Sequence, residues 1–279
     1  MNIIKFIESF TDDQLFQQTG SRRESLTQFG TIGKKAALAA VPGGLLSLFL
    51  IPQKGAAKTT LSPLSDSTPL QTLQLALMLE HLDSTFYQMG LDTNGLIPAG
   101  RDRTVFTKIV QNENAHKAAL AQGIQSLGGT PVMNQQFDFT AGGLLNPFGN
   151  YDQFLALAQS FEDTGVRAYK GQAHNLMGNP DLLQTALQIH SAESRQASEV
   201  RRLRGEKGWI TANLRGNNMP EMTQPVYNGE ELAMQMGFNT ATVNNGSAGP
   251  AIPATAGTQS FDEPLSRPQI EAIAGMFIQ

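Results

Sequence analysis

Four long stretches keep one apolar face at the spacing of an α-helix, and the connections between them run short, long, short. The first covers Leu70 to Leu91, with Leu73, Leu75, Leu77, Leu79, Leu82 and Phe86 on or near its inner side, and stops before Asn94-Gly95 and Pro98-Ala99-Gly100. The second covers Arg101 to Leu127 and ends at Gly128-Gly129. The third covers Tyr151 to Met177 and ends at Gly178-Asn179-Pro180. The fourth covers Asp181 to Gly205, with Arg201, Arg202 and Arg204 crowded at its end, where positive charge suits a helix C-terminus. Short connections make antiparallel neighbours, so segments one and two form one helical hairpin and segments three and four another. Residues 128–150 carry Pro, Phe and Gly without a helical pattern, and form the single long crossover between them. The pattern predicts an all-α chain: a four-helix bundle with a long crossover between helices 2 and 3.

Each predicted helix carries a glutamate in apolar surroundings: Glu80, Glu113, Glu162 and Glu193. Four carboxylates converging in a low-dielectric core repel one another, and each ion costs several kcal/mol unless it is compensated. Two divalent cations would balance four negative charges without further partners. Arginines are the alternative, and Arg167 and Arg195 stand close enough in sequence to serve. The second helix adds a histidine, His116, three residues after Glu113, so that both project from one face. The fourth has Gln196 at the corresponding place after Glu193. An amide oxygen is a far poorer ligand for a transition metal than an imidazole nitrogen. The candidate metal ligands are therefore Glu80, Glu113, His116, Glu162, Glu193 and Gln196, in an asymmetric site whose second position is weak.

The two hairpins echo each other, with Tyr87 seven residues after Glu80 and Tyr169 seven residues after Glu162. Near-equal offsets between corresponding glutamates are what a duplicated hairpin leaves behind. By default the two tyrosines pack in the core, with hydrogen bonds to site carboxylates or radical trapping as the alternatives. Asp83, one turn beyond Glu80, is either an extra ligand or a surface residue. His81 and His190 adjoin ligand positions but point elsewhere by helical phase, and His174 lies near a solvated helix end.

The stretches Leu79-Glu80-His81-Leu82-Asp83-Ser84-Thr85-Phe86-Tyr87, Ser160-Phe161-Glu162-Asp163-Thr164-Gly165-Val166-Arg167-Ala168-Tyr169 and Ile189-His190-Ser191-Ala192-Glu193 resemble bacterial ferritin-like domain proteins akin to the desiccation-related group. The resemblance runs from about residue 20 to Trp209. It implies a ferritin-like four-helix bundle and, in intact members, a carboxylate-bridged pair of iron or manganese ions. Gln196 departs from that pattern, which puts the second ion and efficient ferroxidase chemistry in doubt.

Around a bundle at 70–209 the sequence places an N-terminal leader at 1–69 and a Gly/Asn/Pro-rich extension at 210–279. The leader opens with amphipathic spacing at Ile3, Phe6, Ile7 and Phe10, and Ser21-Arg22-Arg23-Glu24-Ser25-Leu26 resembles a twin-arginine export signal. Ser25 stands where Phe is usual, and Thr27 where Lys is usual. The apolar stretch 36–51, broken by Pro42-Gly43-Gly44, is short of the roughly 20 residues a membrane helix needs and fits a signal-peptide core. Export to the periplasm or cell envelope is the expectation. A cytoplasmic protein with 36–51 packed on the bundle, or held against a membrane, is the alternative. The extension is read as wrapping the bundle or engaging a second copy or another protein, with disorder as the alternative, and ends in a helix-like Arg267 to Ile278.

With no cysteines, disulfides and thiolate chemistry are excluded. A net charge of −4 with no basic patch argues against nucleic acid, and there is no nucleophile triad or phosphate loop. Two functions remain open: a metal-binding protein with residual iron or manganese oxidation or storage, or a structural or stress-protection protein that keeps the bundle without a working centre.

Overall fold

The computed structural model describes residues 67–235, 238–239 and 253–279. The Arg22-Arg23 motif, the apolar stretch 36–51 and the linker up to residue 66 lie outside the described residues. Helix α1 spans Pro69–Asp92, α2 Arg101–Ser126, α3 Tyr151–Gln172 and α4 Pro180–Leu203. Three of the four starts are capped by side chains. Thr68 and Gln71 form a reciprocal capping box ahead of α1, Asn150 accepts from Gln153 N–H ahead of α3, and Asn179 accepts from Leu182 N–H ahead of α4. Pro69 and Pro180 follow their caps at the first helical position, where a missing N–H costs nothing. The third helix is shorter than the sequence pattern suggests: after Gln172 the chain tightens into a 3₁₀ turn, Ala173–Leu176.

The chain is mostly helical, and α1 packs on α2 and α3 on α4 as two hairpins, joined by cross-contacts of α1 with α3 and α2 with α4. At one end an aromatic cluster gathers Phe86, Tyr87, Phe106, Phe139, Phe154 and Phe161, with the Phe86 and Phe154 rings stacked at 4.7 Å. At the other end Leu73, Leu77, Leu120, Ile124, Leu176, Leu182, Ala186 and Ile189 form a mainly aliphatic cluster that includes Tyr169. Along α1 the order is Leu73 and Leu77, then Glu80, then Phe86 and Tyr87, and α3 runs the opposite way through Phe161, Glu162 and Tyr169. The glutamates thus sit midway, walled off from water by apolar layers on both sides.

The C-terminal extension docks on the bundle. A short helix α5 (Ala254–Ser260), which the sequence pattern did not suggest, precedes α6 (Arg267–Ala274). Helix α6 stops at Ala274 rather than continuing to Ile278, because Ile278 pairs as a bridge with Phe137 of the crossover. Ile270, Ile273 and Ala274 join Leu75, Leu79 and Ala168 in a third apolar cluster, with Val226, Tyr227 and Leu265. Helix α3 is covered on all sides as a result: every residue from Phe154 to Tyr169 is buried.

The fit is closest at Gly171, where an added Cβ would lie 1.9 Å from the Leu265 carbonyl oxygen, a backbone atom that cannot swing away. Gly171→Ala is therefore expected to destabilise the protein by about 1–3 kcal/mol through overpacking. The extension should also become easier to cleave in limited proteolysis. Unchanged urea unfolding and unchanged cleavage would mean that the extension is not held this tightly.

A candidate metal centre between the hairpins

His116 Nδ1 lies 3.1 Å from Glu80 Oε2, 3.4 Å from Glu113 Oε2 and 3.3 Å from Glu193 Oε1. Three helices supply these groups: α1 gives Glu80, α2 gives Glu113 and His116, and α4 gives Glu193. All four residues are buried, and one ligand atom from each lies within 4.8 Å of every other. Donors spaced by roughly 3.0–3.4 Å form the edges of an octahedron or tetrahedron around an ion with bonds of about 2.1 Å. Glu113 Oε2 is buried, and its polar neighbour, His116 Nδ1 at 3.4 Å, makes no well-formed hydrogen bond to it. A satisfied structural network does not leave such an atom bare, whereas a ligand atom needs its lone pair free. The donor set of three carboxylates and one imidazole fits a divalent transition ion.

The remaining two residues of the sequence-derived set are arranged differently. Glu162, from α3, accepts a hydrogen bond from Tyr87 OH at 2.6 Å and lies 3.3 Å from Gln196 Nε2. Gln196 also donates to Glu113 at 2.7 Å and approaches Glu193 at 3.4 Å. Its carbonyl oxygen accepts from Asn112 Nδ2 at 2.7 Å, which turns the amide nitrogen toward the carboxylates. Gln196 thus faces the cluster with its donor side, the side that cannot bind a cation. It fills the place where a second imidazole would stand and partly neutralises the acids around it.

The two tyrosines are tied to carboxylates of the opposite hairpin. Tyr87 on α1 donates to Glu162 on α3, and Tyr169 on α3 donates to Glu80 on α1. Asp83 is buried, not a surface residue, and its pKa is pushed well up by burial and by the charges of Glu113, Glu162 and Glu80. The arginines do not serve the cluster. Arg167 points away, to Glu230 at 2.7 Å, and exposed Arg195 approaches Ser191 at 3.5 Å. His81 bonds Val132 O at 3.2 Å, and His174 bonds Gly171 O at 2.9 Å, so neither belongs to the centre.

Protonation follows from this packing. Burial and the nearby Glu113 charge push Glu80 up to about 8. Burial, then the Glu113 and Glu80 charges, hold Glu193 well above its usual range, and Glu162 is raised by burial and Glu113. Burial opposes the charge on His116, but the Glu113, Glu193 and Glu80 carboxylates gathered around it outweigh it and carry the imidazole far above its ordinary value. Without a cation the cluster retains protons in place of one.

A second polar network on the outer side of α3 had no signal in helical periodicity. Arg201 forms a two-pronged pair with Asp163 (3.0 and 2.5 Å), and Tyr227 OH donates to the same carboxylate at 2.9 Å. Arg201 and Arg204 are thus engaged by α3 and the extension rather than only facing the end of α4, since Arg204 donates to Gln159 and to Asn217 O at 2.5 Å. The visible clue was Asp163 and Arg167, opposite charges a turn apart on α3.

Among the described residues no helix is long and apolar enough to cross a membrane. Residues 68–206 match the family model described as Ferritin-like domain. No curated protein matches the chain.

Proposed function

The chain carries a ferritin-like domain over residues 68–206, and from that premise we propose that it is a metal-binding protein holding one iron or manganese ion through Glu80, Glu113, His116 and Glu193. The observation that carries this reading is the convergence of these four buried donors, with no guanidinium among them. Oxygen donors with a single imidazole suit iron(II) and manganese(II) better than a soft, thiolate-seeking ion. A bound ion of this kind would supply redox and Lewis-acid chemistry.

The chain's own residues would do the rest. Tyr169 orients Glu80, the apolar clusters exclude water, and the protons held on Glu80 and His116 leave as the ion enters. Glu162 and Gln196 make a poor second position, since the amide presents N–H and Asn112 holds it so. That asymmetry favours storage or single-ion binding over the two-ion oxidation of a complete centre. We place export alongside this reading as a proposal resting on the leader's sequence alone, and a structural or stress-protection role as the alternative, which Gln196 and the polar extension favour.

The stoichiometry tests it. Purified protein should take up one Mn(II) per chain in calorimetry and elemental analysis. Gln196→His should raise the uptake to two, because an imidazole with Glu162 and Glu193 completes the second position. No uptake by either protein would leave a bundle without a metal centre, and two ions in the parent would show that the amide is no barrier.

A further inference from the structure

After α4 the chain turns at Gly205, whose positive φ of 73° suits a residue without a side chain. It then runs out as a loop and folds back, closed by Glu206 accepting the Asn217 N–H at 2.7 Å. Between this loop and the 3₁₀ segment Glu221–Val226 lies a polar groove of about 690 Å³. That volume belongs to small-molecule sites and is far larger than an inorganic ion requires. The groove is remote in kind from the carboxylate cluster: its cations are Arg201, Lys207 and Arg215, against the single carboxylate of Glu206. A chain with a net charge of −4 thus concentrates positive charge here.

Arg201 is neutralised by Asp163, but Lys207 and Arg215 have no anionic partner among the described residues. Arg215 is half-buried, and its Nη1 is shielded from water without a hydrogen bond. A partly dehydrated, unpaired guanidinium is costly unless an anion joins it. Trp209, a large aromatic side chain 46 % exposed, lines the same groove. Asn213 and Asn217 line it as well. An aromatic face stacks against the C–H face of a sugar ring, amides bond hydroxyls, and an unpaired guanidinium takes a carboxylate.

We propose that this groove binds an acidic saccharide, with Trp209 beneath a sugar ring, Asn213 and Asn217 on its hydroxyls, and Arg215 and Lys207 on its carboxylate. The site is independent of the metal reading.

Trp209 is the only tryptophan in the chain, so its emission reports directly on the groove. The full chain is titrated with trigalacturonate, with neutral maltotriose and with inorganic phosphate. Trigalacturonate is expected to change the emission saturably, and the other two to bind much more weakly. Arg215→Gln should weaken trigalacturonate binding about tenfold, the loss of one charge-assisted contact. Trp209→Ala, followed by calorimetry, should weaken it to a similar extent. If Arg215→Gln does not fold, Lys207→Gln at an exposed position carries the same test. No response to trigalacturonate overturns the proposal. So does equal binding of maltotriose, which removes the acidic requirement, or of phosphate, which leaves an anion site alone. Full affinity in the substituted proteins overturns it as well.

Discussion

Glu80→Gln is expected to lower Mn(II) affinity by more than about 100-fold, beyond the 10–100-fold typical of losing a group that only supports a ligand. The same change should make the metal-free protein more stable at pH 9. These opposite effects have one cause. Glu80 is a buried carboxyl whose folded-state pKa, about 8, lies above its ordinary value of 4.5. It faces Glu113 and His116 from α2 and Tyr169 from α3, with Glu193 of α4 across the imidazole. Between those two values the folded chain binds more protons than the unfolded one, so stability falls as pH rises. The contribution is complete below about pH 4.5 and is lost through about pH 8. An amide does not ionise, so Glu80→Gln should lose less stability than the parent over this range, the remaining loss coming from Asp83, Glu162 and Glu193. Saturating Mn(II), which takes the place of the protons, should also reduce the loss in the parent. Urea unfolding from pH 5 to 9, with and without Mn(II), checks all three statements. A flat parent profile, or undiminished Mn(II) affinity in the amide protein, would show that the carboxylates are not gathered as described.

Arg167→Ala should cost about 3–5 kcal/mol, the usual consequence of breaking a buried ion pair from one side. Arg167 is 1 % exposed and holds four groups of the extension. It pairs with Glu230 at 2.7 Å and donates to Glu263 O at 2.7 Å, to Asn228 O at 3.0 Å and to Val226 O. Its removal leaves the buried Glu230 carboxyl, which burial already pushes up to about 8, and three carbonyls facing a gap. Arg167→Lys should recover little, because one ammonium cannot reach acceptors spread around a planar fork. The Mn(II) stoichiometry of whatever fraction of Arg167→Ala remains folded should stay at one, since the guanidinium does not touch the carboxylate cluster. Loss of stability read by circular dichroism in urea, together with unchanged stoichiometry, separates the two sides of α3. A cost below about 1 kcal/mol would mean that water replaces the arginine without penalty.

The helices and their glutamates were legible because a buried helix face repeats every three or four residues and an acid within it stands out. Tyr87 and Tyr169 were visible by their shared offset, though not the crossed pairing that sends each to the other hairpin's glutamate. The orientation of Gln196 could not be read, because it is fixed by Asn112, 84 residues away in sequence. Arg167 is a related case: closeness in sequence made it an alternative partner for the glutamates, while its actual partners lie in an extension without periodicity. Docking through side chains that bond backbone carbonyls leaves no pattern in residue types, so the extension's path over α3 was invisible. Helix α6 was foreseen at the correct start, but its end was not, since the Phe137 and Ile278 bridge depends on the crossover being nearby.

Helix α3 has no side turned to water over its whole middle. A mast stepped this deeply cannot tilt toward one neighbour without loosening its grip on the others. The acidic chamber on its inner flank and the arginine pairs on its outer flank are therefore set by one helix, with Glu162 turned to the first and the very next residue, Asp163, to the second.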